Sequence, residues 1–158
     1  MDWAGWAVFG LLATAALTVV MVSAQLGGLT RMDIPLLLGT LATDDPDRAR
    51  VVGLFLHLVM GQVFALGYAL VFALLDDARW DVGLGLGLLH GVVALGVIVP
   101  ALPGIHPRIA SDRAGPSTRP GLEPPGWFGS NYGRSTVLVA VVAHLAYGAA
   151  LGLLLKPH

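Results

Sequence analysis

The sequence predicts an all-α integral membrane protein, a four-helix bundle with a short interfacial helix after the first span. Three observations predict it. Four apolar stretches, about residues 5–29, 51–75, 82–102 and 135–155, each reach the ~18–20 residues that cross a hydrocarbon layer ~30 Å thick. Hydrophobic residues make up 56% of the chain and charged residues only 12%, whereas a soluble domain carries about 25% charge. Small residues recur at four-residue spacing inside the stretches, which lets helix backbones approach closely in lipid. With 158 residues, the reading is a single membrane domain over 1–158 with one Pro/Gly-rich loop, 103–134.

The first stretch carries Trp3 and Trp6 at its outer end, where an aromatic belt sits. Val22-Ser23-Ala24 resembles a signal-peptide cleavage site. However, Met1-Asp2-Trp3 lacks a positive n-region and the run is longer than a signal core, so it reads as a retained helix. Gly27-Gly28 is its stop, and Gln25 near its inner end suits a helix–helix hydrogen bond. Asp33 caps a short helix through Leu36–Gly39, with Pro35 in its first turn. That piece is too short to span. Asp44-Asp45-Pro46 launches span two, and Asp76 and Asp77 end it. The link to span three is short, which predicts a tight antiparallel hairpin.

Span three places Gly83, Gly87 and Gly91 on one face; span four repeats the device with Gly148 and Gly152, and span two has Gly61, Ala65 and Ala69. These are the expected helix-packing residues. Pro100 and Pro103 should end or kink span three. In the long loop, Trp127-Phe128-Gly129-Ser130-Asn131-Tyr132 is aromatic and should fold back on the bundle. Ser130 or Asn131 is placed to cap span four.

Basic residues set the orientation. Arg31, Arg48 and Arg50 lie in the first connection and Arg108, Arg113, Arg119 and Arg134 in the third; only Arg79 and Lys156 lie opposite. The positive-inside rule then puts loops 30–50 and 103–134 in the cytoplasm and both termini outside the cell (inner) membrane.

Several chemistries are excluded. There is no cysteine, so thiolate ligands, disulfides and cysteine nucleophiles are out. The net charge of −1 gives no footprint for nucleic acid. Ser23 and Ser135 lack a GxSxG context. Asp44, Asp45 and Asp47 lack calcium-loop spacing and read as a solvated helix start. His106-Pro107-Arg108 reads as an ordinary basic loop segment, and His158 as a solvated end. The chain is expected not to be an enzyme.

Three histidines lie well inside apolar spans: His57, His90 and His144. An ionisable residue there is costly without a partner and points to function by default. At ~1.5 Å rise per residue they lie roughly 9, 18 and 14 Å inside their helices, within reach of one layer. Each would be neutral and hydrogen-bonded across helices to a carbonyl, Gln62, Thr14, Thr18 or Tyr68 in a purely structural role. Alternatively they would hold a transition metal, or a haem iron axially, or form a proton path. Asp33, His106 and Tyr147 are the candidate helpers. No HExxH or similar motif narrows the metal reading.

His57-Leu58-x-x-Gly61 and His144-Leu145-x-Tyr147-Gly148 echo each other, as do Met32-Asp33-Ile34-Pro35 and Ile105-His106-Pro107. This pattern suits two helix-pair halves related along the membrane normal. Met32–Thr40, His57-Leu58-x-x-Gly61 and His144-Leu145-x-Tyr147-Gly148 together resemble small bacterial four-span membrane proteins of a domain-of-unknown-function family. The resemblance implies fold and location and carries no activity. The functional expectation is a structural or binding role through the glycine faces, with a homo-oligomer or a larger membrane partner. The alternatives are metal or haem binding by His57, His144 and His90, or a small proton or ion carrier.

Overall fold

In a computed structural model describing residues 3–116 and 119–155, the chain is an all-α four-helix bundle. Met1-Asp2, Lys156 and His158 lie outside the described residues. Span one is α1 (Trp3–Leu26). A short α2 (Ile34–Gly39) precedes span two, α3 (Pro46–Leu75). Span three, Trp80–Ile105, is built from α4 (Trp80–Val93), a π-helical segment (Ala94–Ile98) and α5 (Val99–Ile105). A 3₁₀ turn (Trp127–Tyr132) leads to span four, α6 (Thr136–Leu154). Each span is long and apolar enough to cross a membrane, and only 22% of the most apolar stretch of α3 is buried within the protein. Phe55, Val63 and Leu74 point outward, so the apolar outer face calls for hydrocarbon around it. The protein is a multi-pass membrane protein.

Local chemistry explains the boundaries. α1 ends at Leu26, at the expected Gly27-Gly28 stop: Gly28 takes φ +72°, and the amides of Gly28 and Leu29 reach back to the Gln25 and Ala24 carbonyls, the Schellman pattern that satisfies a helix's last carbonyls. Asp33 caps α2 by accepting from the Leu36 amide, with Pro35 in the first turn. Asp45 accepts from the Asp47 and Arg48 amides, so α3 starts at Pro46, earlier than residue 51; its polar first turn is helical although it is not hydrocarbon-compatible. Asp76 terminates α3 in the left-handed region, φ 50°.

Span three differs from expectation. Pro100 and Pro103 do not end it; the helix runs on to Ile105. A π turn lies just upstream, where the Val99 amide bonds back five residues to the Ala94 carbonyl. Nor does Ser130 or Asn131 cap span four. The N-cap position is Ser135, without a side-chain bond, and the Asn131 amide instead donates to the Pro124 carbonyl. Gln25 makes no side-chain hydrogen bond among the described residues; it borders a narrow gap beside His57.

The helices form an open arc in the order span two, span one, span four, span three. α6 is wedged between α1 and α4, and α4·α6 is the closest pairing. The expected tight hairpin of spans two and three is not formed: despite their short link, their backbones scarcely approach each other. α2 lies along α3, where Gly39 meets the Ala49 backbone and Gly53 meets the Pro35 carbonyl, with no room for a Cβ at either.

The aromatic turn folds back as expected. Tyr132 is fully buried and donates to the Glu123 carbonyl, its own carbonyl accepts from the Arg31 amide, and Arg31 pairs with Glu123. Thr30 and Thr136 share a buried hydroxyl bond of 2.7 Å. These bonds tie the first and third connections together.

Candidate functional site: a histidine-lined cavity

The buried face of α3 reads Ala49, Gly53, His57, Gly61, Ala65, Tyr68 and Phe72, a helical stripe at spacings of three and four. It brings His57 inward. In α4, the stripe Gly83, Gly87 and Gly91 lies against α6. A Cβ on Gly83 would strike the Gly148 carbonyl, and one on Gly87 the His144 carbonyl. A Cβ on Gly91 would sit 3.2 Å from His144 Cβ and 3.3 Å from Cγ. Gly91 therefore clears space for the His144 ring. Gly148 and Gly152 meet the Gly83 and Arg79 carbonyls, and Gly61 meets the Thr14 side chain. All six packing glycines are thus filled by neighbours within the chain, and the same faces are not open to a partner.

His57, His90 and His144 all line one cavity of about 130 Å³, together with Tyr147, Phe64 and Thr14. Its floor is Met32, just ahead of α2, with Ile34, Leu37 and Leu38 of α2 itself. His90 is the hub of an aromatic cluster: its ring centroid is 4.0 Å from Phe64, 4.7 Å from His144, 5.8 Å from Tyr147 and 6.0 Å from Tyr68. Tyr68 and Tyr147 meet edge to face at 5.3 Å, the geometry that ring quadrupoles favour.

Hydrogen bonds fix part of the protonation pattern. His144 Nδ1 lies 2.7 Å from the Ala140 carbonyl. A carbonyl only accepts, so Nδ1 carries hydrogen and the neutral ring keeps its lone pair at Nε2. Tyr68 Oη lies 3.3 Å from His90 Nδ1. One hydrogen joins the pair, carried by the phenol or by Nδ1 according to the His90 tautomer. Tyr147 donates to the Gly61 carbonyl at 2.6 Å. His57 is 7% exposed, and its Nδ1 is buried with no hydrogen-bond partner. An unpaired buried polar atom costs about 1–3 kcal/mol.

The other expected partners lie elsewhere. Gln62 ties span two to span one, donating to the Ala7 carbonyl while its own carbonyl accepts from the Trp6 indole; its Oε1 is buried and unpartnered. Thr14 and Thr18 bond within their own helix, to Gly10 and Thr14. Asp33 caps α2 and pairs with Arg50 at 3.0 Å. His106 staples the start of the long loop to α2: Nε2–H donates to the Leu37 carbonyl at 2.9 Å, and Nδ1 accepts from the Arg108 and Ile109 amides at 3.1 Å. Burial holds its imidazole below the usual 6.5, partly offset by the Leu37 bond. Of the three helpers, only Tyr147 stands at the cavity.

No group of three or more His, Cys, Asp or Glu among the described residues is arranged to hold a metal ion. The three imidazoles share a cavity without converging on one point. Nor does the cavity accommodate a porphyrin, since a dry cavity of about 150 Å³ holds one benzene ring. Phe64 and Tyr68 are the site residues that the sequence reading undervalued. Their signal is the α3 stripe itself, since Gly61, Phe64 and Tyr68 follow His57 at helical spacing. No family model, curated protein or solved structure matches this chain.

Proposed function

We propose that this membrane protein is a non-catalytic binding protein whose site is the histidine-lined cavity. The observation that carries this reading is the convergence of His57, His90, His144 and Tyr147 on one cavity, with His57 Nδ1 buried and unpartnered. Intramembrane polar groups are costly, and here three imidazoles and a phenol are gathered around one space. The glycine faces support a different role: they bring α4 onto α6 and make room for His144. Arg31, Arg48 and Arg50 on one connection, against Arg79 on the next, support a cell-membrane placement with the α2 side of the bundle cytoplasmic.

The test is to purify the protein from membranes and measure its metal content, its visible spectrum and its solvent-extractable small molecules. The comparison is a variant with His57→Phe, His90→Phe and His144→Phe. The expected result is a near-stoichiometric guest in the wild type that is missing from the variant. Wild type and variant carrying equal, trace amounts of everything would overturn the proposal.

A further inference from the structure

We infer that the cavity takes the ring of a lipid-soluble phenol, a hydroxylated ring on a hydrocarbon tail, arriving sideways from the bilayer between spans two and three. This rests on the binding role proposed above and adds the ligand class and its route.

The route follows from the arc. Spans two and three are neighbours in the chain but scarcely approach along their backbones. They meet through side chains where Phe64 and Tyr68 touch His90. Met60 of span two and Ile98 of span three line the cavity and are also 36% and 40% exposed on the outer surface. A residue that is both cavity wall and lipid-facing surface marks a mouth. That mouth opens onto hydrocarbon, so the guest must dissolve in it. The π-helical segment, often found at functional sites, supplies the span-three side of the wall through Ala94, Leu95 and Ile98.

Size and chemistry narrow the class. About 130 Å³ is the room for one six-membered ring, given that a dry cavity of about 150 Å³ holds benzene. Phe64, Tyr147 and the imidazoles supply ring faces and edges for such a guest. The polar complement is the acceptor lone pair at His144 Nε2. A ring hydroxyl donates to it, whereas a ring carbonyl only accepts and a hydrocarbon ring has nothing to donate. No electron transfer is part of the inference.

The experiment uses the full chain in phospholipid nanodiscs. Thermal unfolding is followed by circular dichroism with no additive, with 4-decylphenol, with decylbenzene, and separately with Cu(I), Zn(II) and Ni(II). A ligand that binds only the folded state raises the midpoint. The expected result is a rise with 4-decylphenol that exceeds the rise with decylbenzene. It should be lost in His144→Phe, which keeps a ring but removes the acceptor at Nε2, and in Ile98→Trp, which plugs the mouth from the lipid side. If His144→Phe fails to fold, Ile98→Trp and the two-probe comparison decide. No rise with the phenol, or equal rises with both probes, overturns the inference. Stabilisation by a metal ion alone, absent from the triple histidine variant, would sink the phenol class and leave the binding role standing. No response to any probe would count against both.

Discussion

Gly83 and Gly85 sit two residues apart in α4 and give a paired test of the helix packing that builds the site. A methyl group on Gly83 would collide with the Gly148 carbonyl oxygen and lie 2.9 Å from the Gly148 carbonyl carbon and 3.2 Å from Gly152 Cα. These are backbone atoms of α6, so no side-chain rotation relieves them, and the helices must move apart. Overpacking of this kind costs about 1–3 kcal/mol, occasionally more. At Gly85 a Cβ meets nothing within 4 Å, and a helical Gly→Ala change there gains up to about 1 kcal/mol. Gly83→Ala and Gly85→Ala should therefore differ by about 2–4 kcal/mol, with opposite signs relative to wild type. The assay is equilibrium unfolding in mixed detergent micelles, followed by helical circular dichroism. If Gly83→Ala unfolds at the same denaturant midpoint as Gly85→Ala, the α4–α6 contact is not as described.

Other outcomes follow from single bonds. Tyr147→Phe removes a 2.6 Å bond to the Gly61 carbonyl; bonds of this type inside a membrane average about 0.6 kcal/mol, so its unfolding midpoint should fall only slightly. Asp33→Ala should cost about 0.5–2 kcal/mol as a lost cap, while Asp33→Asn should cost less, because the half-exposed Arg50 pairing contributes at most about 1 kcal/mol; equal losses would put the stabilisation in the charge. Burial keeps His106 neutral when folded, so the unfolded chain takes up a proton first. Stability should hold above the ordinary value of 6.5 and fall as pH drops below it. Unfolding midpoints measured from pH 8 to pH 5 should show a shallower loss in His106→Gln than in wild type, and an identical slope in both would refute the assignment.

The spans, the capped α2 and the helix ends were legible in the sequence because each rests on local chemistry. Asp33, Pro35, Asp45, Gly28 and Asp76 act within a few residues of themselves. Convergence of the histidines was not legible, because the apolar spans give each residue a depth but no angle about its helix. The glycine stripes named a face and left its neighbour open: Gly87 and Gly91 are turned to His144, a pairing that depends on which helices sit side by side. The two prolines of span three pointed to an end or a kink; the helix runs on to Ile105, with a π turn at Ala94–Ile98 just upstream of them. His106 was a candidate helper by its place after span three, and its three backbone bonds show it to be a fastening between loop and α2.

The position of α6 at the centre of the arc has a consequence for biogenesis. A ribosome delivers the spans in sequence order, and α4, with its groove of glycines, emerges long before the helix that fills that groove. Until α6 arrives, α3 and α4 share little more than a linker and a few rings. A chain truncated before α6 would therefore leave the α4 glycine groove unfilled.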